Sequence, residues 1–204
     1  MTSVITGDII NSTTHDPKVW LAPLKQALQT ISGHSRYWEI YRGDSFQVEI
    51  QDPLEAFIGA VYIKACIKTV KGLDVRLAIG IGSKTFEGQT VTESNGSAFQ
   101  ASGSVFEQLK KEKINLKISG VGNSYIDDEI NLILKLISIP MDHWSANSAE
   151  IVKLHLENKN KIQKEIARLI GISQDAVSKR MKRAYLDEVL EVNKMYQKKI
   201  SQSH

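Results

Sequence analysis

The chain has 204 residues, with 26 Lys and Arg against 23 Asp and Glu, 42% apolar residues and 24% charged ones, a balance that excludes disordered and fibrous classes and fits an ordinary globular protein with a real core. The longest apolar run, residues 133–139, is broken by Lys135 and is far too short to span a bilayer, and the first residues lack the basic-then-apolar pattern of a secretory leader. Cys66 is the only cysteine, so no internal disulfide is possible; a buried reduced thiol and a cytoplasmic location are expected.

In chain order, residues 3–10 alternate as a strand carrying one carboxylate, Asp8. Asp16 is placed to cap a helix with Pro17 in its first turn, and Trp20, Leu21, Leu24, Leu28 and Ile31 form its apolar stripe until Gly33 ends it. Residues 39–50 read as a hairpin with Gly43 and Asp44 at its tip. Asp52-Pro53 opens a second helix whose apolar face is Leu54, Phe57, Ile58, Val61, Tyr62 and Ala65. A strand over 73–82, a polar loop over 83–95, a helix around 98–109, a strand over 114–118 and an apolar helix around 130–137 follow. The order β-α-β-β-α-β predicts a split β-α-β, ferredoxin-like unit: an α+β fold with an antiparallel sheet and helices on one face.

Pro140-Met141-Asp142 is expected to close this first domain, 1–142, and a second, all-α domain to occupy 143–204, with the last seven residues frayed. Charge divides at the same place. Residues 1–142 hold 14 basic against 16 acidic side chains, and 143–204 hold 12 against 7, so the positive balance belongs to the C-terminal part and invites a nucleic-acid partner.

Within that part, residues 163–170 form a short amphipathic helix, Gly171-Ile172-Ser173 a turn, and 174–183 the start of a second helix. Ala167 is small where two helices cross, Gly171 suits a left-handed turn, Ile172 and Val177 fill the angle between the helices, and Ser173 can cap the second one. The pattern resembles the helix-turn-helix of bacterial regulators. That resemblance makes 174–183 a recognition helix presenting Gln174, Asp175, Ser178, Lys179, Lys182 and Arg183. Its first residues would reach base edges, and Lys179, Lys182 and Arg183 would meet phosphates.

The strand with Asp8 and the Gly43-Asp44 hairpin resemble the catalytic domains of class III nucleotidyl cyclases and diguanylate cyclases. The resemblance implies a site for Mg²⁺ or Mn²⁺ made by Asp8, the carbonyl of Ile9 and Asp44, with Asn11, Ser12, Gly43 and Gln100 beside a bound nucleotide. Oxygen ligands suit these ions, and a pair of them would neutralise a triphosphate. The chain departs from the family where an Asn and, four residues on, an Arg face the transferring phosphate: Gln100 and Ser104 stand there. A sensing site is therefore expected rather than a turning-over one. The whole chain is similar to the SatD family of bacterial proteins through residues 5–12 (ITGDIINS), 41–47 (YRGDSFQ), 76–82 (RLAIGIG) and the helix-turn-helix. Together these resemblances imply a bacterial regulator, homodimeric, that senses a nucleotide and binds DNA. An active nucleotidyl cyclase and a purely protein-binding module are the alternatives. The Gly-rich pieces at 80–82 and 120–122 lack the rest of a dinucleotide or phosphate loop, and His15, His34, His143, His155 and His204 lack metal-ligand spacing.

Overall fold

The computed structural model describes residues 1–122 and 124–203, and among them it has an α+β fold with a five-stranded sheet and eight α-helices. The strands are β1 (Thr2–Ile10), β2 (Trp38–Tyr41), β3 (Ser45–Ile50), β4 (Asp74–Gly82) and β5 (Leu116–Ser119), in spatial order β2-β3-β1-β4-β5. The first four are antiparallel as expected. β5, which follows those elements, lies parallel to β4 with Leu77 opposite Leu116, so the sheet as a whole is mixed. The reason is the connection: residues 97–112 form a helix that crosses over the sheet between β4 and β5, and a crossover of that length returns the chain in the same direction.

The helices are α1 (Pro17–Ser32), α2 (Ala56–Lys68), α3 (Ser97–Glu112), α4 (Ser124–Asp142), α5 (Ala146–Glu157), α6 (Gln163–Ile170), α7 (Gln174–Arg183) and α8 (Leu186–Gln202). The capping signals act where expected: the Asp16 carboxylate accepts from the Lys18 N–H, and Gly33 ends α1 at φ 75°. Strand side chains at odd positions of β1 and β4, such as Ile5, Ile9, Val75, Leu77 and Ile79, join the main core with α1, α2 and α4.

The two helices among the first six elements, α1 and α2, share one face of the sheet as expected, and a later helix covers the other. α3 lies on the opposite face, where Val4 packs with Val91, Ala98 and Phe99, and Ala78 with Val105 and Leu109. Its seat is the small-residue side of β4. A Cβ at Gly80 would lie 2.1 Å from the Ala98 carbonyl oxygen and 2.4 Å from the Ser102 nitrogen, so only glycine lets the helix backbone approach this closely.

α2 also differs from its expected amphipathic pattern. All thirteen of its residues are buried, because α5 covers the side turned away from the sheet. Its two lysines are satisfied internally: Lys64 Nζ lies 2.6 Å from Asp74 Oδ1, and Lys68 donates to Asp74 Oδ2 at 3.0 Å and to the Asp142 carbonyl at 2.8 Å. Cys66 sits on the same helix, buried, its thiol pushed up to about 12 by that burial.

The expected division at 142/143 falls in the connection between α4 and α5, and Pro140 lies inside α4 rather than ending it. The apolar core continues across the connection, including Trp144, Ile151, Val152, Tyr196 and Ile200 together with α2 and the sheet. The C-terminus is not frayed up to Gln202: α8 buries Ile200, Tyr196 donates to the Pro53 carbonyl at 2.7 Å, and Lys199 pairs with Glu129 at 2.7 Å. His204 lies outside the described residues. No described helix is long and apolar enough to cross a membrane.

Candidate functional sites

At one end of the sheet β1 and β3 bring Asp8 opposite Ser45, and the Ile9 N–H donates to the Asp44 carbonyl at 3.3 Å. The turn between β2 and β3 holds Arg42, Gly43 and Asp44, with Arg42 at φ 50° and Gly43 at φ 89°. Two successive left-handed residues reverse the chain here, and Gly43 meets that demand at least cost. Asp8 and Asp44 thus reach the same end of the sheet, where each carboxylate already has partners.

Asp8 is buried on the α3 face. Its Oδ1 accepts from Arg76 Nε at 2.9 Å, and its Oδ2 lies 3.4 Å from Lys110 Nζ. Arg76 is its cross-strand neighbour on β4, and Lys110 comes down from the last turns of α3. Asp44 accepts a short hydrogen bond from the buried hydroxyl of Ser12. Ile9 itself is a core residue. The nearby Tyr41 hydroxyl is held above its ordinary value, first by burial; Arg42 opposes that shift, and Asp8 and Glu39 add to it.

The remaining residues expected around a nucleotide divide into two places. Asn11, at φ 65° and exposed, donates from its amide to the Gly72 carbonyl at 3.1 Å and lies with Ser12 and Gly43 near the strand end. Gln100 is exposed on the first turn of α3. The residue of α3 that reaches Asp8 is Lys110, ten positions later, and ten residues of helix span about 15 Å. Gln100 is therefore not brought to the Asp8 end.

Sequence reading missed Arg76 and Lys110. Arg76 carried a signal, being the polar residue of β4 that an antiparallel register with β1 sets against Asp8. Lys110 carried none, because a lysine near the end of a helix looks like a solvated one. As they stand, both carboxylates are engaged by the protein's own groups. Two cations hold the Asp8 carboxylate, Ser12 holds Asp44, and no group of three or more metal-ligating side chains occurs among the described residues.

The second candidate surface lies on α6 and α7. Gly171, at φ 68°, closes α6, and both its N–H and that of Ile172 reach the Ala167 carbonyl. The Ser173 hydroxyl caps α7 by accepting from the Ala176 N–H at 3.1 Å. Ile166, Ala167, Val177 and Met181 are buried between the helices and α5, and Ile172 is partly buried beside them. Two contacts lock α7 onto α5 and its lead-in: Arg180 to Glu150 at 2.8 Å, and the Trp144 indole N–H to the Ala184 carbonyl at 2.8 Å.

With that inner face fixed, Gln174, Asp175, Ser178, Lys179, Lys182 and Arg183 are all exposed, Gln174 at the edge where it lines a shallow pocket with His155, Met181 and Leu186. Lys179 pairs with Asp175 at 2.8 Å, one helical turn away. Lys182 and Arg183 have no ion-pair partner among the described residues, and Lys164 and Arg168 add exposed cations on α6. Searches of protein-family models, curated proteins and solved structures find nothing that matches this chain.

Proposed function

We propose that this chain is a cytoplasmic DNA-binding regulator of the SatD type, in which α6 and α7 act as a helix-turn-helix and α7 is the recognition helix. The observation that carries the reading is the division of α7 into two faces. Val177 and Met181 anchor it against α5 and α6, while six polar side chains are exposed and the two cations nearest its C-terminus have no ion-pair partner among the described residues. A helix held by its inner face with its N-terminal polar residues forward is built to enter a major groove. Gln174 and Ser178 are suited to base edges there, and Lys182 and Arg183 to flanking phosphates.

Fluorescence anisotropy with labelled duplex DNA tests this. Affinity is expected to fall linearly on a logarithmic salt scale, and Lys182→Glu combined with Arg183→Glu should weaken binding at least tenfold and flatten the salt slope by about 2. Binding that ignores salt and survives the double substitution would refute the reading.

The strand order supports a ferredoxin-like, cyclase-like reading of the sheet region, since β2-β3-β1-β4 is the arrangement of a split β-α-β unit. A second, narrower role follows for the Asp8 end. The phosphates of a nucleotide would be met by Arg76 and Lys110, and Mg²⁺ or Mn²⁺ would have to arrive with the nucleotide because the protein offers no ready ligand set for the ion alone. Such binding would serve as a signal to the DNA-binding helices, not as catalysis.

A further inference from the structure

Helix α4 is apolar on two sides, and the fold explains only one of them. Ile130, Leu134, Ile137 and Met141 are buried in the core. On the outer side Tyr125 is 75% exposed, Leu132 59%, Leu136 57% and Ile139 58%. Tyr125, Leu132 and Ile139 are spaced by seven residues, and Leu136 stands four beyond Leu132, so the four form one stripe along the helix. A solvated helix face carries polar residues at these positions. A stripe with heptad spacing fits another helix.

We propose that the occupant is a second copy of this chain, its α4 packed antiparallel on the first about a two-fold axis at Leu132. The charges beside the stripe select this arrangement. Asp128 and Lys135 are exposed and have no ion-pair partner among the described residues, while Glu129 is held by Lys199. Asp128 lies four residues before Leu132 and Lys135 three after it. An antiparallel pair about a two-fold axis at Leu132 keeps the two residues on the same flank of the seam and leaves Asp128 of each copy within one residue, about 1.5 Å of helical rise, of Lys135 of the other. The same register stacks Ile139 of one copy on Tyr125 of the other, because both are seven residues from the centre. Leu132 meets its own equivalent, and Leu136 lies beside it at the edge of the contact, level with Asp128 of the other copy. A parallel two-fold pair would instead put Asp128 and Lys135 of the two copies on opposite flanks of the seam, facing Ile126 and Ile133, and would leave both charges unpaired. One register thus satisfies the apolar and the charged side chains together, and it does so only in the isologous form that closes as a dimer. A stripe of this length, about 21 Å by helical rise, belongs to the few-hundred-Å² class of patches. That is below the roughly 800 Å² per partner of stable complexes, so a weak, concentration-dependent dimer is expected. None of this depends on the DNA-binding reading.

Sedimentation velocity of the full chain, from about 1 to 100 µM, tests the proposal. The wild type should pass from monomer to dimer across that range. Leu132→Glu with Leu136→Glu should stay monomeric throughout with an unchanged thermal melting curve, since both positions are exposed. Asp128→Lys or Lys135→Asp alone should weaken association about tenfold by setting like charges together twice, and the double exchange Asp128→Lys/Lys135→Asp should restore it. A wild type that remains monomeric at 100 µM, a dimer that survives the two leucine substitutions, or a double exchange no better than either single one would overturn it.

Discussion

Asp8 is the residue on which the sheet-end site turns. A carboxylate buried on the α3 face needs compensation, and the structure supplies it twice, from Arg76 across the strand pair and from Lys110 on α3. A bare divalent cation would have to compete with both, whereas phosphate groups would be drawn to the same two cations. Isothermal titration separates these cases. Mg²⁺ or Mn²⁺ alone should give no measurable heat, and ATP or GTP presented with either ion should bind. Arg76→Met should weaken that binding at least tenfold, the effect expected for losing one charge-assisted contact of about 1.5–3 kcal/mol. Tight binding of the free ion, or nucleotide binding indifferent to Arg76, would contradict the assignment. Asp8 and Asp44 were legible from one sequence because a carboxylate interrupts an apolar strand and a Gly-Asp pair sits at a hairpin tip. Their cationic partners were harder to find, since Lys110 reaches Asp8 only through the docking of α3, which no local pattern records.

Element order was largely readable from periodicity, but the faces of elements were not. Alternation marks Val75, Leu77, Ile79 and Ile81 as the apolar side of β4 and says nothing of what covers Ala78 and Gly80 on the other. They are the groove in which α3 rests, which is why the sheet is covered on both faces. This makes a paired prediction. Gly80→Ala adds a methyl group that meets helix backbone at 2.1 and 2.4 Å. α3 would have to lift, at a cost of about 2–3 kcal/mol or more in a urea unfolding experiment. Gly103→Ala, inside α3 with nothing within 4 Å of the added carbon, should instead stabilise by about 0.5–1 kcal/mol through helix propensity. Equal effects at the two glycines would mean that α3 does not rest on β4 as described. α2 was misread for a related reason: its outer side is covered by α5, and a helix with two packed sides loses the one-sided pattern that periodicity detects.

At the scale of the molecule, the sheet region and the C-terminal helices share one core. Tyr62 donates to Glu157 at 2.6 Å, α8 returns to the loop before α2 through Tyr196, and α5 is packed between α2 and α7. A change at the sheet therefore has a packed route to α7 through α2 and α5. Composition revealed only that the charge of the C-terminal part is positive. The orientation of that charge depends on Trp144, Glu150 and Arg180, which hold α7 with its polar side outward. The proposed function requires that this exposed face read DNA sequence. Selection from a random duplex library with the wild-type chain and with Gln174→Ala tests it most directly. The wild type should enrich a defined motif, and the variant should relax the preference at one position of it, by about 1–3 kcal/mol. Recovery of no motif, or of the same motif with unchanged preference at every position, would contradict it.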